Sequence, residues 1–192
     1  MPSPALTAWS TSSAAALSQL EAAHAAVGGT RAGRRTNTLQ LNYAYVLLLS
    51  AHFQAYCRGL HTDVAQLLVD ASDPEIGAVL DINLAFNRQL DRGNAQPATL
   101  GADFNRFDFE FWTVVKATDA RNEARQRKLE ELNAWRNAIA HHDIDTRRAD
   151  LHPHEVTLAA CRTWRGALNG LARSFDRVLS DRLQTLIGTH PW

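Results

Sequence analysis

What the chain has little of narrows its class first. Its 192 residues include two cysteines, Cys57 and Cys161. Each lies in an apolar periodic stretch with no companion at metal-ligand spacing, so both read as small buried hydrophobes of a reducing compartment; a bridge between them stays open at this level. The start, Met1-Pro2-Ser3-Pro4, lacks the basic beginning and compact apolar core of a signal peptide, and a cytoplasmic location is expected. The longest apolar-rich run, Tyr43 to Cys57, contains His52 and Gln54 and falls short of the roughly 20 apolar residues of a membrane span, so it reads as a core helix and no membrane partner is expected.

Net charge is absent too. Twenty basic and twenty acidic residues cancel, so the molecule as a whole lacks the positive field typical of nucleic-acid binders. The distribution is uneven, however. Residues 1–60 hold four Arg and one Glu, residues 61–110 hold nine acids and three Arg, and the remainder is modestly basic, which leaves room for a local basic site. No Gly-rich phosphate loop, nucleophile elbow or paired-carboxylate signature occurs, and the enzyme classes built on them are set aside. Internal repeats are missing, and so are alternating β-branched runs bounded by hairpin residues.

What remains is helical periodicity, which predicts an all-α fold in a single domain over 1–192. An Ala-rich helix is expected from Ala5 to Val27, stopping at Gly28-Gly29, with Thr30–Thr36 and its Arg31, Arg34 and Arg35 as connector. The core bundle then spans 37–187. From near Asn37 an i, i+3, i+4 series through Leu41, Tyr45, Leu48, Leu49, Phe53, Leu60 and Leu67 predicts one extended helix or two abutting ones. Ser72-Asp73-Pro74-Glu75 matches a capping box and predicts a third helix to about Leu90. Asp91–Asp103, with Gly93, Pro97 and Gly101, reads as a loop, and Phe104–Val115 as a short helix. Asp119 is expected to cap a helix with the apolar line Ala120, Ala124, Leu129, Leu132, Trp135 and Ile139. A polar connector from Asp143 to Pro153 and a closing helix from His154 to Ile187 complete the pattern.

The segment with chemical potential is Arg136-Asn137-Ala138-Ile139-Ala140-His141. At about 100° per residue, Asn137 and His141 stack one turn apart, and the arc from Arg136 to His141 is about 140°. An Arg presents a planar fork of donors suited to phosphate, and a His exchanges protons near neutral pH, as cleavage of RNA by its own 2′-hydroxyl requires. A plain structural role competes, because Arg and His both favour the negative end of a helix dipole.

Other clusters are weaker. His141, His142, His152 and His154 gather in sequence, but no H-x-x-x-H or H-E-x-x-H pair accompanies them, so no metal and no cofactor is expected. Arg162, Arg165, Arg173 and Arg177 share one face of the closing helix and read as a solvated face in preference to a phosphate-tracking stripe. Arg147-Arg148, next to the motif, are the better candidates for gripping RNA backbone. Trp112 and Trp164 fit the core, whereas Trp135 fits either the core or a dimer contact.

R-N-x-x-A-H late in an amphipathic helix, followed by a polar connector and a long closing helix, resembles the HEPN superfamily. The segment Tyr45-Val46-Leu47-Leu48-Leu49-Ser50-Ala51-His52-Phe53-Gln54-Ala55-Tyr56 is similar to the long core helix of its RiboL-PSP-like ribonuclease branches. The resemblance covers about residues 37–187. It implies an up-and-down helical bundle with a long C-terminal helix, a homodimer that joins two R-x-x-x-x-H motifs in one composite cleft, and metal-independent RNA cleavage to a 2′,3′-cyclic phosphate and a 5′-hydroxyl. A toxin–antitoxin or phage-defence setting is implied as well, with a cognate antitoxin as possible protein partner. Carried over, Arg136 neutralises the scissile phosphate, His141 is general acid or base, and Asn137 orients one of them. Several relatives place an acid where this chain has Gln54, which leaves a non-catalytic module binding a nucleotide or a partner protein as the alternative; Gln54 itself reads as a buried hydrogen-bonded amide.

Overall fold

A computed structural model describes residues 1–28 and 38–192. The connector carrying Arg31, Arg34 and Arg35, and a helix start at Asn37, lie outside the described residues. Among those described there are nine α-helices and no strand: α1 Pro4–Ala8, α2 Ala14–Gly28, α3 Leu39–Asp70, α4 Pro74–Ala85, α5 Pro97–Phe104, α6 Phe111–Thr118, α7 Asn122–Ala140, α8 Ile144–Arg147 and α9 Leu158–Ile187. The protein is an all-α bundle that closes on a long C-terminal helix. None of its described helices is long and apolar enough to cross a membrane.

The continuous 3.6-residue period of the second apolar series produces one 32-residue helix, α3, not two. Its buried positions, among them Tyr45, Val46, Leu49, Phe53, Cys57, Leu60 and Val64, line the centre of the bundle. Helices α1, α2, α4, α7 and α9 pack around it. Cys57 and Cys161 are both buried and unbridged, in keeping with their apolar surroundings.

The first helix forms as expected but is widened by a π-turn over Trp9–Ser13. There Trp9 is buried, its indole N–H donating to Asn169 Oδ1 at 2.9 Å and its ring set edge-on to Phe53. Ser10 and Thr11 hydroxyls donate back to the Leu6 and Thr7 carbonyls, which helps satisfy a backbone out of α register. Arg162 and Arg165 of α9 hold α2 through Glu21, at 2.8 and 3.0 Å, and the Tyr45 hydroxyl adds a bond of 2.8 Å. Burial opposes the charge on Glu21, but these bonds outweigh it and keep the carboxyl below its ordinary range. Half of the anticipated solvated arginine face is therefore a helix clasp.

Several boundaries differ from expectation for identifiable reasons. Pro74 does open α4, but the Ser72 hydroxyl donates to Leu68 O at 2.7 Å and Asp73 makes no side-chain cap, so the capping box is not formed. Helix α4 ends at Ala85, not near Leu90, because the Arg106 guanidinium collects the carbonyls of Asn83, Leu84, Phe86 and Asn87. The expected loop over Asp91–Asp103 contains α5: Pro97 occupies its first turn, and a Cβ on Gly101 would lie 3.3 Å from Trp112 Cδ1, so the glycine makes room for an indole that donates to Pro97 O. Phe104–Val115 is helical only in part, through a 3₁₀ turn at Asn105–Phe107, left-handed Asp108 and then α6. Ala120, in the turn before α7, and Ala124 are not core residues; Asn122 takes the buried position, bonded to Val115 O and Ser174 Oγ. Asp119 accepts Arg121 N in the turn before α7 instead of capping the helix itself. The polar connector includes α8, and α9 starts at Leu158 because Thr157 supplies its cap to Ala160 N.

One core residue ties folding to pH. His61 is fully buried, with ring centroids 4.7 Å from Phe107 and 5.4 Å from Phe104. Its Nε2 lies 3.2 Å from Asp103 O and its Nδ1 3.4 Å from Arg88 Nη1, a pairing that suits the neutral ring with Nε2 as donor. Burial, reinforced by the Arg88 charge, lowers its pKa to about 4. A folded pKa below the unfolded value means that the unfolded chain takes up the proton first. The contribution of neutral His61 is thus complete above about pH 6.5 and is lost as pH falls towards 4. From denaturant titrations over this interval, the wild type should lose about 3 kcal/mol more than the His61→Gln variant. Parallel pH profiles for the two proteins would contradict this.

Candidate functional site

The motif occupies the last turns of α7 and the cap that follows. Arg136 and Asn137 are half-buried, and His141 is exposed. Arg136 Nη1 donates to Asn137 Oδ1 at 3.2 Å, and Asn94 Nδ2 donates to the same oxygen at 2.7 Å. With its oxygen occupied twice, the Asn137 carboxamide is fixed in orientation. Its own N–H groups meet no protein acceptor among the described residues, and neither do the remaining donors of Arg136. Most of the described arginines face a carboxylate; Arg136 has none within ion-pair distance among the described residues.

The partner Asn94 is presented by a segment anchored from two sides. From α3, Gln54 Nε2 donates to Leu90 O at 3.0 Å and to Gly93 O at 2.6 Å. From α7, Asn133 Nδ2 donates to Ala95 O at 3.1 Å. Gln54 is therefore a hydrogen-bonded amide, half-buried where full burial was expected, and it reaches the motif only through this segment. Asn94 and Asn133 were not among the sequence candidates. Asn133 was discoverable, since it precedes Asn137 by one helical turn on the same face; Asn94, 43 residues away from Asn137, carries no local signal.

His141 follows Asn137 by one turn, its backbone N–H donating to Asn137 O at 3.0 Å. Its imidazole makes no hydrogen bond among the described residues, so the structure joins Arg136 to Asn137 directly and sets His141 beside them by helix register alone. Trp135, next to Arg136, is core: it is buried, donates to Pro153 O at 2.9 Å and lies 6.4 Å from the Tyr43 ring. Trp164 is likewise buried, and Trp112 packs against the core. Arg147 sits on α8, 3.7 Å from Asp143, and Arg148 is exposed in the 3₁₀ turn that follows. Neither bonds to Arg136, Asn137 or His141. The rings of His152 and His154 are 4.9 Å apart, and no group of three or more His, Cys, Asp or Glu among the described residues is arranged to hold a metal ion.

No family model, curated protein or solved structure matches this chain. Its chemistry must be argued from the side chains. Two kinds of donor, a guanidinium without a carboxylate and an immobilised amide, converge at the end of α7, with an imidazole one turn on. Donors of this kind are suited to the oxygens of a tetrahedral anion, and an imidazole is a group able to exchange a proton.

The turn that follows is strained in a specific way. Asp143 N donates to Ala138 O at 3.1 Å and His142 N to Ile139 O at 3.3 Å, which is a Schellman closure with His142 at the left-handed position, φ 56°. A side chain there costs about 1–2 kcal/mol, partly offset by the greater freedom that glycine gives the unfolded chain. His142→Gly should raise stability by about 0.5–1 kcal/mol in equilibrium unfolding. A decrease would mean that the His142 side chain makes a stabilising contact that outweighs the strain.

Proposed function

We propose that this chain is a HEPN-type endoribonuclease that cleaves RNA without a metal ion, as a homodimer whose two α7 ends form one cleft. The observation that carries the reading is Arg136: a half-buried guanidinium with no carboxylate within ion-pair distance among the described residues, held by an amide that is itself held by Asn94. A structural arginine would be expected to sit on an acid, whereas a phosphate-binding one must keep its donors available.

In the proposed reaction the RNA 2′-oxygen attacks the adjacent phosphorus while the P–O5′ bond breaks. The proton lost by the 2′-hydroxyl is matched by one gained by the 5′-oxygen, leaving a 2′,3′-cyclic phosphate and a 5′-hydroxyl. Arg136 and the Asn137 amide neutralise and orient the phosphate oxygens as charge builds on them. His141 exchanges the proton, and its exposure in one chain leaves it accessible to a strand seated between two copies. Arg147 and Arg148 would hold flanking phosphates. A toxin–antitoxin or phage-defence role, with an antitoxin as protein partner, is the setting that fits such an activity.

A second reading, a non-catalytic HEPN module that binds a nucleotide or a partner protein through the same surface, draws on two observations. The His141 imidazole has no orienting partner, and Gln54 is engaged with the 90–93 backbone and not with the motif.

The two are separated by incubating labelled single-stranded RNA with the protein in excess EDTA. Wild type should cleave, and Arg136→Ala and His141→Ala should each reduce the rate by about 10²–10⁴-fold. Cleavage should also fall away on dilution in step with dimer dissociation measured by sedimentation. Undiminished cleavage by both variants would remove the site assignment; persistent inactivity of the wild type with tight nucleotide or protein binding would favour the second reading.

A further inference from the structure

A second basic feature lies at the opposite end of α7. Thr118, Asp119, Arg121, Arg125, Gly170, Arg173, Ser174 and Arg177 line a concavity of about 230 Å³ where the start of α7 crosses α9. Four of these side chains are guanidinium groups and one is a carboxylate. Hydrogen bonds from Arg121, joined by Arg125, hold Asp119 well below the usual carboxylate range, so it is charged at neutral pH. It takes up two of the four arginines, Arg121 at 2.9 Å and Arg125 at 2.8 Å. Arg177 reaches Asp181 only at 3.9 Å and stays largely exposed, and Arg173 has no carboxylate partner among the described residues. In a chain of zero net charge, this concavity carries a clear local positive excess.

The floor of the concavity is built, not incidental. Arg125 is mostly buried, and a Cβ on Gly170 would lie within 3 Å of its Cδ, Nε and Cζ atoms, so the arginine can lie on α9 only because residue 170 has no side chain. Its Nη1 donates to Asn122 Oδ1 at 2.7 Å, and Asn122 is wholly buried, exchanging bonds with Ser174 Oγ and donating to Val115 O. One nitrogen of Arg125 thus serves the interior while Nε and Nη2 make no hydrogen bond among the described residues. Guanidinium forks, unlike ammonium groups, pair two donors with two oxygens of one phosphate.

We propose that this concavity is a phosphate-binding site in which Arg125 is the fixed element and Arg121, Arg173 and Arg177 close over the anion. It is independent of the nuclease assignment. Its ligand is a phosphate group, either on a free phosphoester or in an RNA backbone. The second source is geometrically open, because Arg125 and Arg136 are 11 positions apart on α7, about 16 Å along the axis and within about 20° in azimuth. A strand held at Arg136 could run along the helix to the site.

Two probes test this at low salt: pyrophosphate by calorimetric titration, and a fluorescent single-stranded oligoribonucleotide by anisotropy. Pyrophosphate should bind the wild type, and at least tenfold more weakly the double variant R173E/R177E. Both altered side chains are exposed, and the milder R173Q/R177Q, expected to show an intermediate loss, covers the case in which charge reversal harms folding. A parallel loss of oligonucleotide affinity in the double variants assigns the site to RNA backbone; unchanged oligonucleotide affinity assigns it to a free phosphoester. No pyrophosphate binding by the wild type, or equal binding by wild type and both double variants, would overturn the proposal.

Discussion

The burial of α3 is the constraint from which the rest of the structure follows. A helix of 32 residues whose buried positions recur from Asn42 to Ala65, over more than six turns, cannot be covered by one neighbour, and the chain must return to it repeatedly. The α1–α2 helix, α4, α7 and α9 each pack against it, α4 while leaving Ile76, Val79 and Ile82 exposed. Removing large side chains such as Leu49 or Phe53 from this centre would cost about 2–5 kcal/mol each, a large part of the stability of an ordinary domain.

Covering α3 also traps backbone outside the α-helices, and this is what builds the candidate site. Leu90, Asn94 and Ala95 are buried beside α3 and α7, where their polar groups call for partners in the protein, while Gly93 next to them is exposed. Gln54 from one side and Asn133 from the other do so, and the segment in turn offers Asn94 to Asn137. The amides that solve a packing problem thereby fix the residue beside Arg136. One hydrogen-bond network thus runs from the packing of α3 to Arg136, which stands at its open end.

Local periodicity made much of this legible in the sequence, and non-local contacts account for what was not. The all-α class, the long central helix, the closing helix and the placement of Arg136 to His141 at the end of α7 all follow from spacing within about one turn. The end of α4 does not, because it is set by Arg106, twenty residues beyond Phe86. Helix α5 was hidden by Pro97 and Gly101, which read as breakers but serve as a first-turn proline and a seat for Trp112. The α9 arginines look alike on a helical projection, yet Arg162 and Arg165 clasp Glu21 while Arg173 and Arg177 face Arg121 and Arg125. Whether an arginine is paired is decided by another helix, which periodicity along one segment does not encode.

In the proposed reaction the Arg136, Asn137 and His141 surface directs the 2′-hydroxyl of RNA against its own phosphate. End-group analysis of the products tests it most directly, using in excess EDTA an oligoribonucleotide and its fully 2′-deoxy counterpart. The RNA should yield fragments ending in 2′,3′-cyclic phosphate and 5′-hydroxyl, and the deoxy strand should stay intact. Fragments with 3′-hydroxyl and 5′-phosphate ends, or equal cleavage of the deoxy strand, would contradict it.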